Sequence, residues 1–280
     1  MKTKPDLPRV ANPPDGLLDS GHLWLVEYVD GAPLRFQLQN SGLLRFGDDR
    51  RVYDDPDAMP DEYAHAVRHV REHLDRDALR RAVPDVEDVV FFGVATHYHG
   101  ITYDWANTPS VLGVDVWSER EGTFRPPDAV EQIYEALGLH PINAVEREVN
   151  TRDFDPEEYT IPESAWYDGP AAGVVVRDKQ GRRALLPNPD VDSGGDERSL
   201  DVSADELAAR LATRRRFERV ETRLADAGHP VTVDALYERV REDVLRAEHA
   251  RLTDARVDMQ AFHGELAART RAYLDDETTL

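Results

Sequence analysis

Cysteine is absent from this chain and lysine is nearly so, occurring only as Lys2, Lys4 and Lys179. The absence of cysteine excludes disulfides, thiolate metal ligands and a cysteine nucleophile. No apolar stretch approaches the length that spans a bilayer, so we expect no membrane partner. No apolar segment follows the two amino-terminal lysines either. We therefore expect no signal peptide and a cytoplasmic protein.

Basic charge is also scarce, since 55 Asp and Glu stand against 34 Lys and Arg and give a formal net charge of -21. An acidic excess with so few lysines is typical of proteins adapted to high salt, and the acids are scattered rather than gathered in blocks. We interpret the charge as halophilic adaptation, in preference to a surface that mimics nucleic acid or binds cations. A nucleic-acid site in such a chain has to be a local arginine patch, and its binding is expected to weaken steeply with salt.

Apolar periodicity predicts mixed secondary structure over the first 190 residues, after an irregular, proline-rich segment at 1–20. Strands are predicted at Leu23–Val26, Leu34–Leu38, Val89–Gly93 and Val111–Trp117, and a hairpin at Gly173–Arg177 with Arg183–Leu186. Asp30-Gly31 suits a tight turn between the first two strands. Helices are predicted over Glu62–Leu74 and Asp128–Leu139.

The pattern becomes helical after a segment with the composition of a linker, Pro187–Pro189 followed by Asp192–Asp196. Ser203 and Glu206 have the spacing of a capping box, which begins a helix that Gly228 ends. Two more helices are predicted around Val233–Leu252 and Val257–Leu274. We therefore expect a mixed domain over residues 1–190 and a helical domain over residues 200–280.

Five short segments of the first domain lie at predicted strands and their ends. They are His22–Pro33, Gln39–Gly42, Phe91–Val94 with Ile101–Asp104, Gly113–Val116 with Leu137–Pro141, and Ala172–Arg177. In order and spacing they resemble the motifs of the ATP-dependent RNA ligases, a branch of the covalent nucleotidyltransferases, over roughly residues 15–190. The resemblance implies an α+β fold, with an adenylation-domain (ATP-grasp-like) body of antiparallel sheets and helices and an all-helical appendage after it.

The first motif of that family reads Glu-Lys-x-Asp/His-Gly, and here Glu27, Asp30 and Gly31 match while Tyr28 stands at the lysine. In the family, this lysine attacks the α-phosphorus of ATP and becomes a covalent lysyl-AMP. A phenol with a pKa near 10 replaces it poorly. We expect Lys2 and Lys4 to lie in a tail and Lys179 in a hairpin turn, so that none of the lysines faces a pocket.

Other motif positions have also lost their reactive groups. Val94 and Ala172 occupy the positions where the third and fourth motifs have an acidic residue. Asn40 occupies the position of an arginine, and the fifth-motif region has no lysine. In the family those acids bind ribose and metal, and the lysines stabilise phosphate charge. The resemblance thus implies a degenerate nucleotide pocket without catalytic residues. Its positions are Glu27, Tyr28, Asp30, Gly31, Asn40, Phe92, Val94, Ala172, Gly173 and Arg177.

The leading hypothesis from the sequence is a noncatalytic RNA- or nucleotide-binding or scaffold protein with no certain cofactor. Its candidate phosphate contacts are Arg182, Arg183, Arg214, Arg215 and Arg216. The last three also suit a solvated helix face paired with Glu218 and Glu221. The runner-up is an active RNA ligase or nucleotidyltransferase with a rearranged site, which would use ATP and Mg.

A third hypothesis is an enzyme of unrelated chemistry. His97 and His99 would lie on one face of an extended segment, as two ligands of one metal ion do. A polar loop or an edge strand without a metal is the interpretation we favour there. The acids around Asp48 and Asp54 lack the spacing and the glycine of a calcium loop, so we expect a solvated turn.

Overall fold

The computed structural model describes residues 1–191, 203–254 and 258–278. The chain folds into two compact units. The first comprises Met1–Thr96 and Ile101–Ser193, and the second comprises His97–Gly100 and Gly194–Leu280. The linker expected at Asp192–Asp196 lies outside the described residues. Over the described ranges, no helix combines the length and apolarity that crossing a membrane requires.

The first unit is built mainly from short strands. They are β1 His22–Glu27, β2 Ala32–Leu38, β3 Leu44–Gly47, β4 Val52–Tyr53, β5 Val89–Ala95, β6 Val111–Ser118, β7 Thr123–Phe124, β8 His140–Pro141, β9 Ala144–Asn150, β10 Gly173–Arg177 and β11 Arg183–Pro187. The helices of this unit are α1 Ala64–His73, α2 Arg76–Ala82 and α3 Pro127–Ala136. The strands and helices predicted from periodicity are confirmed, with ends shifted by a few residues. Periodicity does not predict helix α2 or the strands β3, β4, β7, β8 and β9.

The strands form two sheets. One has the order β11-β10-β1-β9, and the other has the order β4-β3-β2-β5-β6-β7 with β8 added beside β6. Neighbouring strands in these sheets run antiparallel, apart from β8, which lies parallel to β6. Since β1 pairs with β10 and β9 while β2 pairs with β3 and β5, the turn expected at Asp30-Gly31 does not close a hairpin. Both strands are buried over nearly their whole length and therefore need partners on each edge.

The core of the larger sheet lies under α1 and α3. Phe36 and Phe91 stack at a centroid distance of 4.9 Å, and the ring of Tyr134 meets Phe91 edge-on at 5.8 Å. The hydroxyl of Tyr134 donates to the carbonyl of Phe92 at 2.8 Å, so α3 is held to β5 by a buried hydrogen bond as well as by apolar contact.

The second unit contains α4 Ala204–Leu211, α5 Arg214–Asp226, α6 Val233–Asp254 and α7 Met259–Thr278. The capping box of Ser203 and Glu206 is confirmed. A single helix was expected from there to Gly228, but Thr213 interrupts it, because its side chain accepts a hydrogen bond from the backbone of Arg216 and begins α5. The helices enclose one apolar core that includes Leu236. Val257, the expected start of the last helix, lies outside the described residues.

Candidate functional site

Glu27, the acid of the first motif, lies buried at the end of β1. Its carboxylate accepts three hydrogen bonds, from Ser164 Oγ at 2.6 Å, Asn143 Nδ2 at 3.0 Å and the backbone N–H of Ala165 at 3.1 Å. These donors come from two loops and satisfy much of the accepting capacity of the group. Glu27 therefore anchors the loops around it.

Tyr28 follows at the strand end, where its backbone N–H donates to the carbonyl of Gly173 at 2.9 Å. Burial, reinforced by the charge of Asp30, raises the pKa of its phenol above the ordinary value. The phenol is accordingly neutral near pH 7 and a weak nucleophile. The backbone N–H of the neighbouring Asp30 donates to the hydroxyl of Tyr103 at 2.8 Å, which fixes the chain just after the motif.

Gly31 is explained by packing. A Cβ atom built at this position would lie 2.6 Å from the backbone oxygen of Ala95 and 2.6 Å from Cγ1 of Val94. β2 begins beside β5 at this point, with Ala32 opposite Ala95. The motif glycine is thus required by the close approach of two strands, whether or not a ligand binds.

A buried charge cluster joins strands of the two sheets. Asp115 of β6 is fully buried, and its Oδ1 accepts from Nη2 of Arg177 at 2.7 Å, while its Oδ2 pairs with Nη1 of Arg183. Nη1 of Arg177 also donates to the carbonyl of Val114 at 2.8 Å. Burial alone raises the pKa of Asp115, but the two guanidinium groups outweigh it and the pKa is lowered. One carboxylate between two guanidiniums leaves net positive charge in the cluster.

These pairings correct one expectation. Arg183 was expected to contact phosphate, yet its side chain is only 5% exposed and bound to Asp115. Arg177, expected as a pocket position, is equally buried. Sequence alone could not show this, because alternation along a strand does not reveal which of its two faces the rest of the fold covers.

A small cavity of about 40 Å³ brings several motif positions together. Glu27, Tyr28 and Val94 line it, with Arg183 and apolar strand residues. Sites that enclose a small molecule usually measure about 300–1,000 Å³. The cavity in this conformation is therefore too small for a nucleotide.

Lys4 also lines this cavity, together with Leu7. The expectation that Lys4 lies in a tail away from any pocket is thus wrong. Burial is the main cause that lowers the pKa of its amine; Arg183 acts in the same direction, and Asp115 and Asp49 oppose it. A lysine with a lowered pKa holds more of its amine in the unprotonated, nucleophilic form.

Backbone contacts hold the amino-terminal segment in this place. The carbonyl of Pro8 accepts from the N–H of Leu185 at 2.8 Å, and the N–H of Val10 donates to the carbonyl of Leu185 at 2.8 Å. At its other end, the carbonyl of Lys2 accepts from Nη1 of Arg35 at 2.8 Å. The segment therefore runs from β11 of one sheet to β2 of the other and carries Lys4 between them.

Several motif positions, among them Asn40 and Ala172, lie apart from the cavity lining. Asn40 is exposed in the turn after β2, and its N–H donates to Oε1 of Glu87 at 2.8 Å. Ala172 is packed among buried apolar side chains just before β10. Gly173 and Phe92 are buried strand residues. The structure thus brings together the first-motif end and Val94, and it leaves Asn40 and Ala172 outside.

The surface arginines are largely paired with acids. Arg182 pairs with Asp178, and Arg214 pairs with Glu218 at 2.9 Å. Arg216 bonds to Asp243 at 3.1 Å and is only 12% exposed. Arg215 is exposed on α5. On α5, the expected solvated face paired with an acid of the same helix is found for Arg214, whereas Arg216 is largely buried and pairs with Asp243 of α6.

A histidine cluster lies in the second unit. His97 and His99 come from the segment after β5, and α6 adds His249, which sequence spacing could not reveal. Burial, followed by the charges of His249, His99 and Arg246, lowers the pKa of His97 to about 2. This ring is therefore neutral.

Comparison with solved structures identifies the fold. A Naegleria gruberi RNA ligase mutant with ATP and Mn has a TM-score of 0.51 and 10% identity over 67% of this chain and 56% of that chain. The same ligase with PPi has a TM-score of 0.51 and 11% identity over 67% and 56%. An archaeal ATP-dependent RNA ligase has a TM-score of 0.48 and 13% identity over 91% and 65%. No family model and no curated protein matches the chain.

The chain therefore has the nucleotidyltransferase fold of the RNA ligases, as the motif order predicted. It spans 65% of the length of the archaeal ligase chain and 56% of the length of the Naegleria chains. At 10–11% identity to the Naegleria ligase, the likeness establishes the fold alone.

Proposed function

We propose that this chain is a noncatalytic protein of the RNA-ligase fold that binds RNA or serves as a scaffold. One observation carries the proposal: the cavity at Tyr28, where the fold's lysine would act, measures about 40 Å³ and is lined by the chain's own Lys4 and Leu7. A nucleotide cannot enter without displacing that segment. The phenol of Tyr28 is neutral, and Val94 offers no ligand to ribose or metal.

RNA is the partner that the fold suggests, because the solved structures it matches are RNA ligases. Contacts in this chain would come from Arg182, Arg214 and Arg215, which are wholly or partly exposed. Since the acid pairs of Arg182 and Arg214 would have to open, and the net charge is -21, binding is expected to be weak and strongly dependent on salt.

The test is incubation with ATP labelled in its α-phosphate and Mg²⁺ in high salt, followed by denaturing electrophoresis. The proposal expects no protein–AMP adduct. A labelled single-stranded RNA titrated at several salt concentrations should bind through a salt-dependent step, and Arg214→Gln with Arg215→Gln should weaken it. A stoichiometric adduct would refute the noncatalytic assignment, whereas absence of RNA binding would leave only the scaffold role.

A second candidate function rests on Lys4. If the segment rearranges to admit ATP, the unprotonated Nζ of Lys4 could attack the α-phosphorus. A P–N bond would form, the bond from the α-phosphorus to the bridging oxygen would break, pyrophosphate would leave, and the amine would release its proton to solvent. Mg²⁺ and the net positive charge of the buried cluster around Asp115 would stabilise the phosphate oxygens, without direct contact from Arg183. This is the active, rearranged ligase or nucleotidyltransferase.

One substitution separates the two functions. Lys4→Arg keeps the positive charge but removes the nucleophile, and Lys2→Arg and Lys179→Arg are matched controls in the same three-lysine chain. An adduct that both controls form and Lys4→Arg does not would establish the second candidate. An adduct that survives in all three variants would exclude Lys4, and mass spectrometry of the modified peptide would name the residue.

A further inference from the structure

The histidine cluster of the second unit has the geometry of a metal site. Ring centroids lie 4.8 Å apart for His97 and His99, 4.5 Å for His97 and His249, and 5.2 Å for His99 and His249. One ring nitrogen from each histidine lies within 4.8 Å of the others. His97 is fully buried, and the other two are partly buried. The three rings therefore converge on one point.

The backbone holds the cluster together. The N–H of Tyr98 donates to the carbonyl of Arg246 at 2.8 Å, and the N–H of Ala250 donates to the carbonyl of Tyr98 at 3.0 Å. In a regular helix the carbonyl of Arg246 and the N–H of Ala250 belong to the same turn. Both groups thus bond to the residue between the two segment histidines, in the turn of α6 that carries His249.

Side-chain contacts add to this support. The guanidinium of Arg251 lies over the ring of Tyr98 at 4.3 Å and bonds to Glu248 at 2.7 Å. His97 and His99, two residues apart, flank a tyrosine that is fixed at both its backbone and its ring. Ligands held in this way lose little freedom when an ion binds.

We propose that His97, His99 and His249 bind a single divalent transition-metal ion, for which Zn²⁺ is the probe. Imidazole nitrogens suit Zn²⁺ and its neighbours in the first row, whereas Mg²⁺ and Ca²⁺ prefer oxygen. At a Zn–N distance of about 2.0–2.1 Å, tetrahedral ligands lie about 3.4 Å apart, so nitrogens up to 4.8 Å apart must close by up to about 1.4 Å.

This assignment departs from the expectation of a polar loop without metal at His97 and His99, because α6 supplies a third ligand that the sequence did not associate with them. Three nitrogens leave a fourth position on the ion for water or an added ligand. The site is independent of the cavity at Tyr28 and of the proposed function, since it uses none of the motif residues.

The test uses the full chain, stripped of metal with a chelator and kept in high salt. Calorimetric titration with Zn²⁺ should give one equivalent bound, and Co²⁺ should give the visible bands of a low-coordinate nitrogen site. Zn²⁺ should also raise the melting temperature, because it binds the folded form. His97→Gln and His249→Gln should each weaken the affinity at least about 10-fold and abolish the melting shift.

A matched control comes from the other close histidine pair, His69 and His73 in α1, whose rings stack at 4.3 Å. The double variant His69→Gln with His73→Gln should bind Zn²⁺ as the parent does. Melting of each variant without metal reports whether it is folded, so a folded His249→Gln that no longer binds supports the site. No binding by the parent, unchanged affinity in folded His97→Gln and His249→Gln, or loss of binding in the α1 variant would overturn the proposal.

Discussion

Nη2 of Arg177 lies 2.7 Å from Oδ1 of Asp115, and the two side chains are 2% and 0% exposed. Arg183 binds the other carboxylate oxygen of Asp115. Together the three side chains join β10 and β11 of one sheet to β6 of the other. A buried ion pair adds little net stability over apolar packing, but removing one partner leaves the other charge buried and uncompensated.

Asp115→Ala should therefore destabilise the protein by about 3–5 kcal/mol, because it leaves two buried guanidinium groups without their carboxylate partner. Denaturant unfolding in high salt measures the loss. Asp54→Ala is the matched control, because its partner Arg45 lies 3.2 Å away but Asp54 is 90% exposed. That variant should unfold as the parent does. Equal stabilities for both variants would show that the buried cluster carries no such cost.

The pKa values of the Lys4 and Lys179 amines should be shifted in opposite directions from the ordinary lysine value. Burial lowers the pKa of Lys4, whereas the bond to Glu148 raises that of Lys179. With three lysines in the chain, isotope-labelled methyl groups on the amines should give resolvable NMR signals whose shifts follow protonation.

We expect Lys4 to lose its proton at the lower pH. By linkage, a lowered folded pKa means that the stability present above the unfolded value near 10.4 is lost as pH falls towards the folded value. Coincident titration of Lys4 and Lys179 would contradict the placement of Lys4 against the cavity.

Strand and helix positions followed from apolar periodicity, because burial on one face leaves a signal in the sequence itself. The position of Lys4 could not be predicted in this way. It depends on backbone hydrogen bonds between Pro8 and Leu185, which are far apart in the chain, and such bonds leave no pattern of side chains in the sequence. The sequence did not associate His249 with His97 and His99 for the same reason, since these two histidines lie about 150 residues away in the chain. Motif order predicted the fold, and long-range contacts decided which residues share a site.

The acidic surface leads to a prediction about salt. With a net charge of -21, lowering salt removes the screening between acids, and the folded state should lose stability through repulsion. The melting temperature in molar KCl should exceed that in dilute buffer, and NaCl should act similarly at equal ionic strength. A melting temperature that does not change between these conditions would mean that the acidic surface is not an adaptation to salt.

Gly31 offers a test of whether a motif residue is kept for packing or for a ligand. An alanine Cβ there would meet the oxygen of Ala95 at 2.6 Å, so Gly31→Ala should cost about 1–3 kcal/mol by forcing β2 and β5 apart. Gly264 in α7 is the matched control, because a Cβ there has nothing within 4 Å. Gly264→Ala should stabilise by about 0.5–1 kcal/mol through helix propensity. Calorimetric melting of both variants without nucleotide decides the point. Loss of stability in Gly31→Ala alone identifies a packing role, whereas a fully stable Gly31→Ala protein would return this glycine to the residues that serve a ligand.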